Sequence, residues 1–236
     1  IGTNKSRTGM QRMKNLLLVL GGTLDALFLK ECYEKMQPHF VVAADGALEK
    51  VLAAGIPCNC GMGDFDTVSK DVLCHFEEDQ NTKLLSFPPE KDETDAELAV
   101  QFAVDQKPDK IWILGATGGR MDHMLGNLEL LHIPLTKGIE CEIIDQQNRI
   151  RLLDGPILLE KMADWKYVSF LSYTDQTQGI TLKGFVYNVE NFTLKKGSTR
   201  CISNEICDEK AAVSFTNGLL YLSLIHISEP TRPISI

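Results

Sequence analysis

Between residues 16 and 145 the chain alternates short apolar runs with stretches of helical periodicity, and this rhythm limits its fold more than any other feature. The runs are LLLVL (16–20), FVVAA (40–44), CNCGM (58–62), KLLSF (83–87), IWILG (111–115) and CEIID (141–145). Between them, Ala96, Leu98, Ala99, Phe102 and Ala103, and then Met121, Met124, Leu125, Leu128 and Leu131, recur every three or four residues. That is the spacing of one helix face, and both stripes are expected to face a core. Repeated strand, helix, strand units predict parallel strands in one sheet covered by helices.

From about residue 149 the texture changes to β-type segments, YVSFLSY (167–173), ITLKGFVYNV (180–189), AAVSF (211–215) and GLLYLSL (218–224), broken by Gly, Asn, Asp and Lys. The predicted fold class is therefore α/β: an N-terminal Rossmann-like parallel sheet with helices on both faces, followed by a smaller all-β sandwich domain. Residues 14–147 and 148–224 are the expected domains, with the boundary in DQQNR (145–149) and Trp165 in the β-domain core. Residues 1–13 and 225–236, the latter carrying two prolines and no continuing alternation, are expected to be disordered or non-native extensions.

A formal charge of −8 with no long Lys/Arg run speaks against a surface built to neutralise a phosphate backbone, so nucleic acid is not an expected partner. No apolar run reaches a membrane span, and a cytoplasmic protein is expected. Seven scattered cysteines form no CxxC pair and suggest neither a disulfide framework nor a zinc site, Cys58 and Cys60 included.

Ligands of open parallel sheets sit at the carboxyl ends of the strands, and there the polar residues gather. Asp45-Gly46 follows the second run, Asp64 and Asp66 the third, Lys91, Asp92, Thr94 and Asp95 the fourth, and Gly118, Gly119, Arg120, Asp122 and His123 the fifth. If the chain stays extended through Asp64 and Asp66, both carboxylates leave one face while Phe65 enters the core. Such a pair suits a hard divalent cation such as Mg²⁺. Thr94 with Glu97 fits a capping box, which alone accounts for Asp95 in a first helical turn; as a third carboxylate for the metal, Asp95 has a second role. Ser69 and Asp71 read as a helix start. GATGGRMDHMLGN (115–127) sets glycine amides, a helix N-terminus and the Arg120 fork where an anion can approach, without matching the dinucleotide or Walker patterns. GGT (21–23) is a weaker phosphate contact or a tight turn. No GxSxG elbow supports nucleophilic hydrolysis.

GDFDT (63–67), KDETDAELA (91–99) and GGRMDHMLGN (118–127), in this order, resemble the three signature segments of bacterial-type thiamine pyrophosphokinases (thiamine diphosphokinases). ITLKGFVYNVENFTL (180–194) followed by GSTRCISNE (197–205) is similar to that family's substrate-side motif ending in Ser-Asn. The resemblance spans residues 16 to 223. It implies Mg²⁺-dependent transfer of the diphosphoryl group of ATP to thiamine, giving AMP and thiamine diphosphate, in a homodimer with active sites at the subunit interface. It also implies Asp64, Asp66 and Asp95 as Mg²⁺ ligands. Asp45, Lys91, Asp92, Thr94, Gly118, Gly119, Arg120, Asp122 and His123 would surround ATP, with Arg120 stabilising developing charge and Asp92 or Asp122 as possible bases. Ser203 and Asn204 would meet thiamine. The chain departs from the family's pattern at ADGALE (44–49), where more glycine and a final Asn are usual, at Cys201 in place of a small residue, and at Asn188 in place of Pro. Asp64-Phe65-Asp66-Thr67-Val68 also satisfies the haloacid-dehalogenase pattern, with Asp64 as nucleophile, and a non-catalytic nucleotide- or vitamin-binding module is the further alternative.

Overall fold

The computed structural model describes residues 15–88 and 92–226. All six apolar runs form strands: β1 (Asn15–Val19), β2 (Phe40–Ala44), β3 (Cys60–Gly63), β4 (Lys83–Ser86), β5 (Lys110–Leu114) and β6 (Glu140–Ile144). They pair in parallel in the order β4-β3-β2-β1-β5-β6. The helices between them are α1 (Ala26–Met36), α2 (Ala47–Ala54), α3 (Lys70–Glu78), α4 (Asp95–Asp105), α5 (Met121–Glu129) and α6 (His132–Thr136).

Local chemistry sets the helix ends. Asp25 caps α1 by accepting from the amides of Leu27 and Phe28, and Thr94 caps α4 by accepting from Glu97 N–H at 3.2 Å. Ser69 occupies the N-cap of α3 without a side-chain bond, and its own N–H donates to Glu49 at 3.0 Å. Asp71 lies in the first turn, as expected.

The inner strands are buried on both faces, which is why their sequences read as continuous apolar runs, whereas β4 at the sheet edge has no buried residue. Leu16 and Leu18 pack with Ala99, Val100 and Ala103 of α4 on one side. Leu17 and Val19 pack with Leu29 of α1 and Leu48 and Val51 of α2 on the other. Each fully buried Leu contributes about 1.5–3 kcal/mol relative to exposure.

One expected core stripe holds only at its C-terminal end, where Leu131 is buried in the core and Leu128 packs against it. Met121 and Leu125 are 69% and 56% exposed, and none of the α5 residues is buried. The helix meets the body only towards its C-terminal end, where Leu128 packs on the core, Asn127 donates to Ala116 O at 2.9 Å and the Tyr221 hydroxyl donates to Leu128 O at 3.3 Å. Its first turns stand clear of the sheet, so the periodicity there marks a surface.

The second half comprises β7 (Asn148–Leu153), β8 (Ile157–Glu160), β9 (Tyr167–Ser172), β10 (Gln176–Lys183), β11 (Val189–Lys195), β12 (Lys210–Ser214) and β13 (Leu220–Ile225). The large sheet runs on into it. β7 pairs antiparallel with β6 through Ile143↔Ile150 and Ile144↔Arg149, and the order continues β7-β13-β9. At this junction the buried Glu142 carboxylate accepts from Arg149 Nε at 3.0 Å and Nη2 at 2.7 Å, which compensates its loss of water. A second sheet, β11-β10-β12-β8, packs over the antiparallel strands. Phe170, Leu220 and Leu222 meet Ile180, Leu182 and Val213, with Phe185 edge-on to Phe170 at 5.7 Å. Trp165 packs against this core, with Arg149 5.6 Å above its ring.

The sandwich thus borrows one face from the same sheet that carries the parallel strands. In that sheet the chain runs from β1 outwards to β4, then returns to β5 on the other flank of β1. That reversal opens a crevice at the carboxyl ends of β1 and β5.

Candidate active site

Three carboxylates converge at the carboxyl edge: oxygen atoms of Asp45, Asp64 and Asp66 all lie within 4.8 Å of one another. They do not converge by strand alternation. β3 stops at Gly63, and Phe65 has φ 61°, so a turn brings the two acids together while Phe65 still packs inwards. The amide of Asp66 donates to Asp64 at 3.3 Å within this turn.

Asp45 joins from the end of β2, in a left-handed conformation with φ 46°. Its amide donates to Met62 O at 2.7 Å, tying it to the neighbouring strand. Gly63, at φ 153°, permits this approach, because a Cβ there would sit 3.0 Å from Asp45 Cβ. Thr67 donates its hydroxyl to Asp45 Oδ2 at 2.5 Å, whereas Asp45 Oδ1 is buried with no hydrogen-bond partner among the described residues. A buried carboxylate oxygen without a donor is costly unless a cation completes it. The repulsion registers at Asp66, whose carboxyl is pushed above its ordinary range, first by the Asp64 charge and also by Asp45 and Asp95. Asp95, half-buried at the start of α4, therefore acts on this cluster from a fourth strand end. Three oxygens at this separation match the donor set of a hard divalent cation.

Sequence reasoning had placed Asp45 among the nucleotide contacts. Its position at a strand end was the available signal; the left-handed turn that brings its carboxylate to Asp64 and Asp66 was not visible.

On the same carboxyl edge, after β5, the glycine loop enters α5. Gly118 and Gly119 have φ 79° and 70°, and a Cβ on Gly118 would lie 2.5 Å from the Thr23 hydroxyl. Gly22 N–H donates to Gly115 O at 2.8 Å and Thr23 N–H to Thr117 O at 3.0 Å, so the GGT turn backs this loop. Lys50 of α2, half-buried, donates to the carbonyls of Gly21 and Gly22, and desolvation lowers its pKa. Nothing in the sequence pattern pointed to Lys50.

Arg120 and Asp122 are exposed and form a two-pronged pair, Nε to Oδ1 at 3.1 Å and Nη2 to Oδ2 at 2.6 Å. The Arg120 bond, with help from the His123 amide, holds the Asp122 carboxyl down at about 2. His123 is itself exposed. Asp92 and Thr94 are exposed just ahead of α4, while Lys91 lies outside the described residues.

In the β half, Asn204 is buried and both polar atoms of its side chain are hydrogen-bonded. Its Oδ1 accepts from Tyr187 N–H at 3.0 Å and Glu205 N–H at 2.9 Å, and its Nδ2 donates to Tyr187 O at 2.8 Å. Ser203 is exposed at φ 59°, its amide donating to Ser169 Oγ at 3.0 Å. Beside them a cavity of about 400 Å³ is lined by Val186, Tyr187, Asn188, Arg200, Ile202 and Asn204, among others. A second cavity, about 260 Å³ between α6 and the starts of β6 and β8, lies at the opposite edge of the sheet from the acids. The buried Cys58 and Cys60 thiols are pushed up to about 12 and about 11 by desolvation, which leaves them inert packing groups.

Comparison with known proteins gives concordant matches. A family model described as thiamin pyrophosphokinase, catalytic domain, matches residues 33–143, and one described as thiamin pyrophosphokinase, vitamin B1 binding domain, matches residues 156–220. The thiamine pyrophosphokinase of Bacillus subtilis is 33% identical over 211 residues, covering 89% of this chain and 98% of that protein. Thiamin pyrophosphokinase 1 of Caenorhabditis elegans is 24% identical, with 76% of each chain covered. The crystal structure of the Bacillus subtilis enzyme superimposes with a TM-score of 0.81 at 30% identity over 91% of this chain and all of that one. The yeast thiamin pyrophosphokinase structure, at 15% identity and a TM-score of 0.75 over 92% of this chain and 87% of that one, shares the fold.

Proposed function

The chain belongs to the thiamin pyrophosphokinase family, and from that premise we propose that the carboxyl-edge acids and the glycine loop transfer the diphosphoryl group of ATP to the hydroxyl of thiamine. The products are thiamine diphosphate and AMP. Membership through both halves of the chain displaces the phosphatase and passive-binding readings of Asp64-Phe65-Asp66.

The observation that carries the site reading is the orphaned Asp45 Oδ1 within a trio of mutually repelling carboxylates. Asp45, Asp64 and Asp66 would hold Mg²⁺, with Asp95 adding negative charge beside them. When bound, Mg²⁺ supplies charge neutralisation on phosphate oxygens.

The chain's own groups do the remaining work. The amides of Gly118 and Gly119 and the Arg120 fork bind and orient the triphosphate, with Thr94 and His123 around the nucleotide. In-line attack forms a bond from the thiamine oxygen to the β-phosphorus while the bond from that phosphorus to the AMP oxygen breaks. Positioning and charge stabilisation supply most of the catalysis. Asp122 orients the Arg120 guanidinium through their two-pronged pair, and Asp92 and Asp122 are the candidate acceptors of the hydroxyl proton.

Thiamine is assigned to the cavity beside Ser203 and Asn204, where Val186 and Ile202 offer apolar contact and Tyr187 an aromatic ring. The reading includes a homodimer, supported by the exposed Met121 and Leu125 on α5. It also includes a cytoplasmic setting, in keeping with seven free cysteines and with the absence, among the described residues, of any helix long and apolar enough to cross a membrane.

The test is to incubate the protein with ATP, Mg²⁺ and thiamine and identify both products. AMP with thiamine diphosphate is expected; ADP with thiamine monophosphate overturns the reading.

A further inference from the structure

The glycine loop is anchored from outside the crevice by a side chain that no motif singled out. Among the described residues, no hydrogen bond uses the amides of Gly118 or Gly119, so both are available to an anion. Their orientation is set one residue earlier. Thr117, half-buried, accepts the Thr23 amide on its carbonyl and donates its hydroxyl to Asp145 Oδ2 at 2.7 Å.

Asp145 is a rigid acceptor. Its Oδ1 takes the amides of Gln147 and Asn148 at 2.8 and 2.7 Å and the Asn148 side chain at 2.9 Å, closing the turn where β6 reverses into β7. Among the described residues no Lys, Arg or His is ion-paired with Asp145. Its charge is therefore spent on hydrogen bonds, and a hydroxyl donating to an ionised carboxylate makes one of the stronger ones. On the other side, Asn127 of α5 holds the Ala116 carbonyl. The peptide entering Gly118 is thus fixed through Thr117 to the sheet junction, while the glycines themselves keep their freedom.

We infer that Thr117 is a positioning residue for the nucleotide: its hydroxyl, held by Asp145, sets the plane of the loop that presents the Gly118 and Gly119 amides to the triphosphate. This rests on reading that loop as the phosphate-facing one. The hydroxyl is engaged by Asp145 and acts through the loop, so its loss should appear in the apparent affinity for ATP rather than for thiamine.

The test is steady-state AMP formation by wild type, Thr117→Val, Thr117→Ser and Arg120→Ala, varying ATP and thiamine separately, with thermal unfolding of each. Thr117→Val removes the hydroxyl and keeps the branched shape; Thr117→Ser restores the donor. The expected result is a rise of about tenfold in the ATP KM of Thr117→Val, the size of one lost charge-assisted bond. Its thiamine KM should stay within twofold and Thr117→Ser should return close to wild type. An ATP KM within twofold of wild type in Thr117→Val, while Arg120→Ala raises it, overturns the inference and leaves the site reading standing. A fall in Tm with both KM values unchanged also overturns it, as that marks a purely structural bond. If neither Thr117→Val nor Arg120→Ala moves the ATP KM, the phosphate-facing reading of the loop falls and takes the inference with it.

Discussion

The acid trio at the ends of β2 and β3 and the Asn204 turn between β11 and β12 are both compact polar clusters, yet they treat their polar atoms in opposite ways. At Asn204 three hydrogen bonds satisfy the side-chain amide, and the buried residue holds the Tyr187 loop in place. At Asp45, Asp64 and Asp66 like charges crowd together, and one buried oxygen has no partner. The first arrangement is finished within the chain and serves as scaffold; the second is finished only by something added. Unsatisfied polar groups in an otherwise well-paired fold mark where a ligand belongs, because folding alone gains nothing from them.

Substitutions should separate the two clusters. Asp66→Asn is expected to have the largest effect, a loss of about 2–4 kcal/mol of transition-state stabilisation, read as a fall in kcat/KM of roughly 30- to 1,000-fold. The same change relieves repulsion, so the metal-free variant should melt no lower than wild type. Asn204→Ala should act on the fold, costing about 1–3 kcal/mol of folding stability through the stranded Tyr187 and Glu205 groups, measured by denaturant unfolding. If Asn204→Ala spares stability, or Asp66→Asn destroys it, the contrast is broken.

Arg120→Ala should raise the ATP KM by roughly tenfold with little change in Tm, since the Arg120–Asp122 pair is exposed. An effect of the same size is expected from Mg²⁺ itself. At ten times its dissociation constant it should stabilise the protein by about 1.4 kcal/mol, a Tm rise of roughly 3–5 °C in a chain of this length. That gain should shrink on acidification from above the ordinary carboxylate range. The raised Asp66 pKa means that the proton competes with the metal earlier there, whereas Asp122 stays ionised to about pH 2.

The parallel half was legible because burial on both faces of a sheet leaves an unbroken apolar run, and all six runs became strands. The helix-start signals at Thr94 and Asp71 held for the same reason: capping is local chemistry. The stripe on α5 misled, because periodicity shows that a helix has an apolar face and not what covers it. The continuity of the large sheet through β6 and β7 was hidden, since pairing across Ile143 and Ile150 depends on register rather than composition. At the site, Asp64, Asp66 and Asp95 were readable from strand ends. The membership of Asp45 in the trio rests on a left-handed turn, and Lys50 and Asp145 act through backbone and hydroxyl contacts that no residue pattern encodes.

The account stands most directly on joint binding of one divalent cation by Asp45, Asp64 and Asp66, and titration of Mn²⁺ into the metal-free protein, followed by its paramagnetic resonance signal, measures this without turnover. The expected result is one site in the wild-type protein, weakened at least about tenfold in each of Asp45→Asn, Asp64→Asn and Asp66→Asn. Undiminished Mn²⁺ affinity in Asp45→Asn would contradict it.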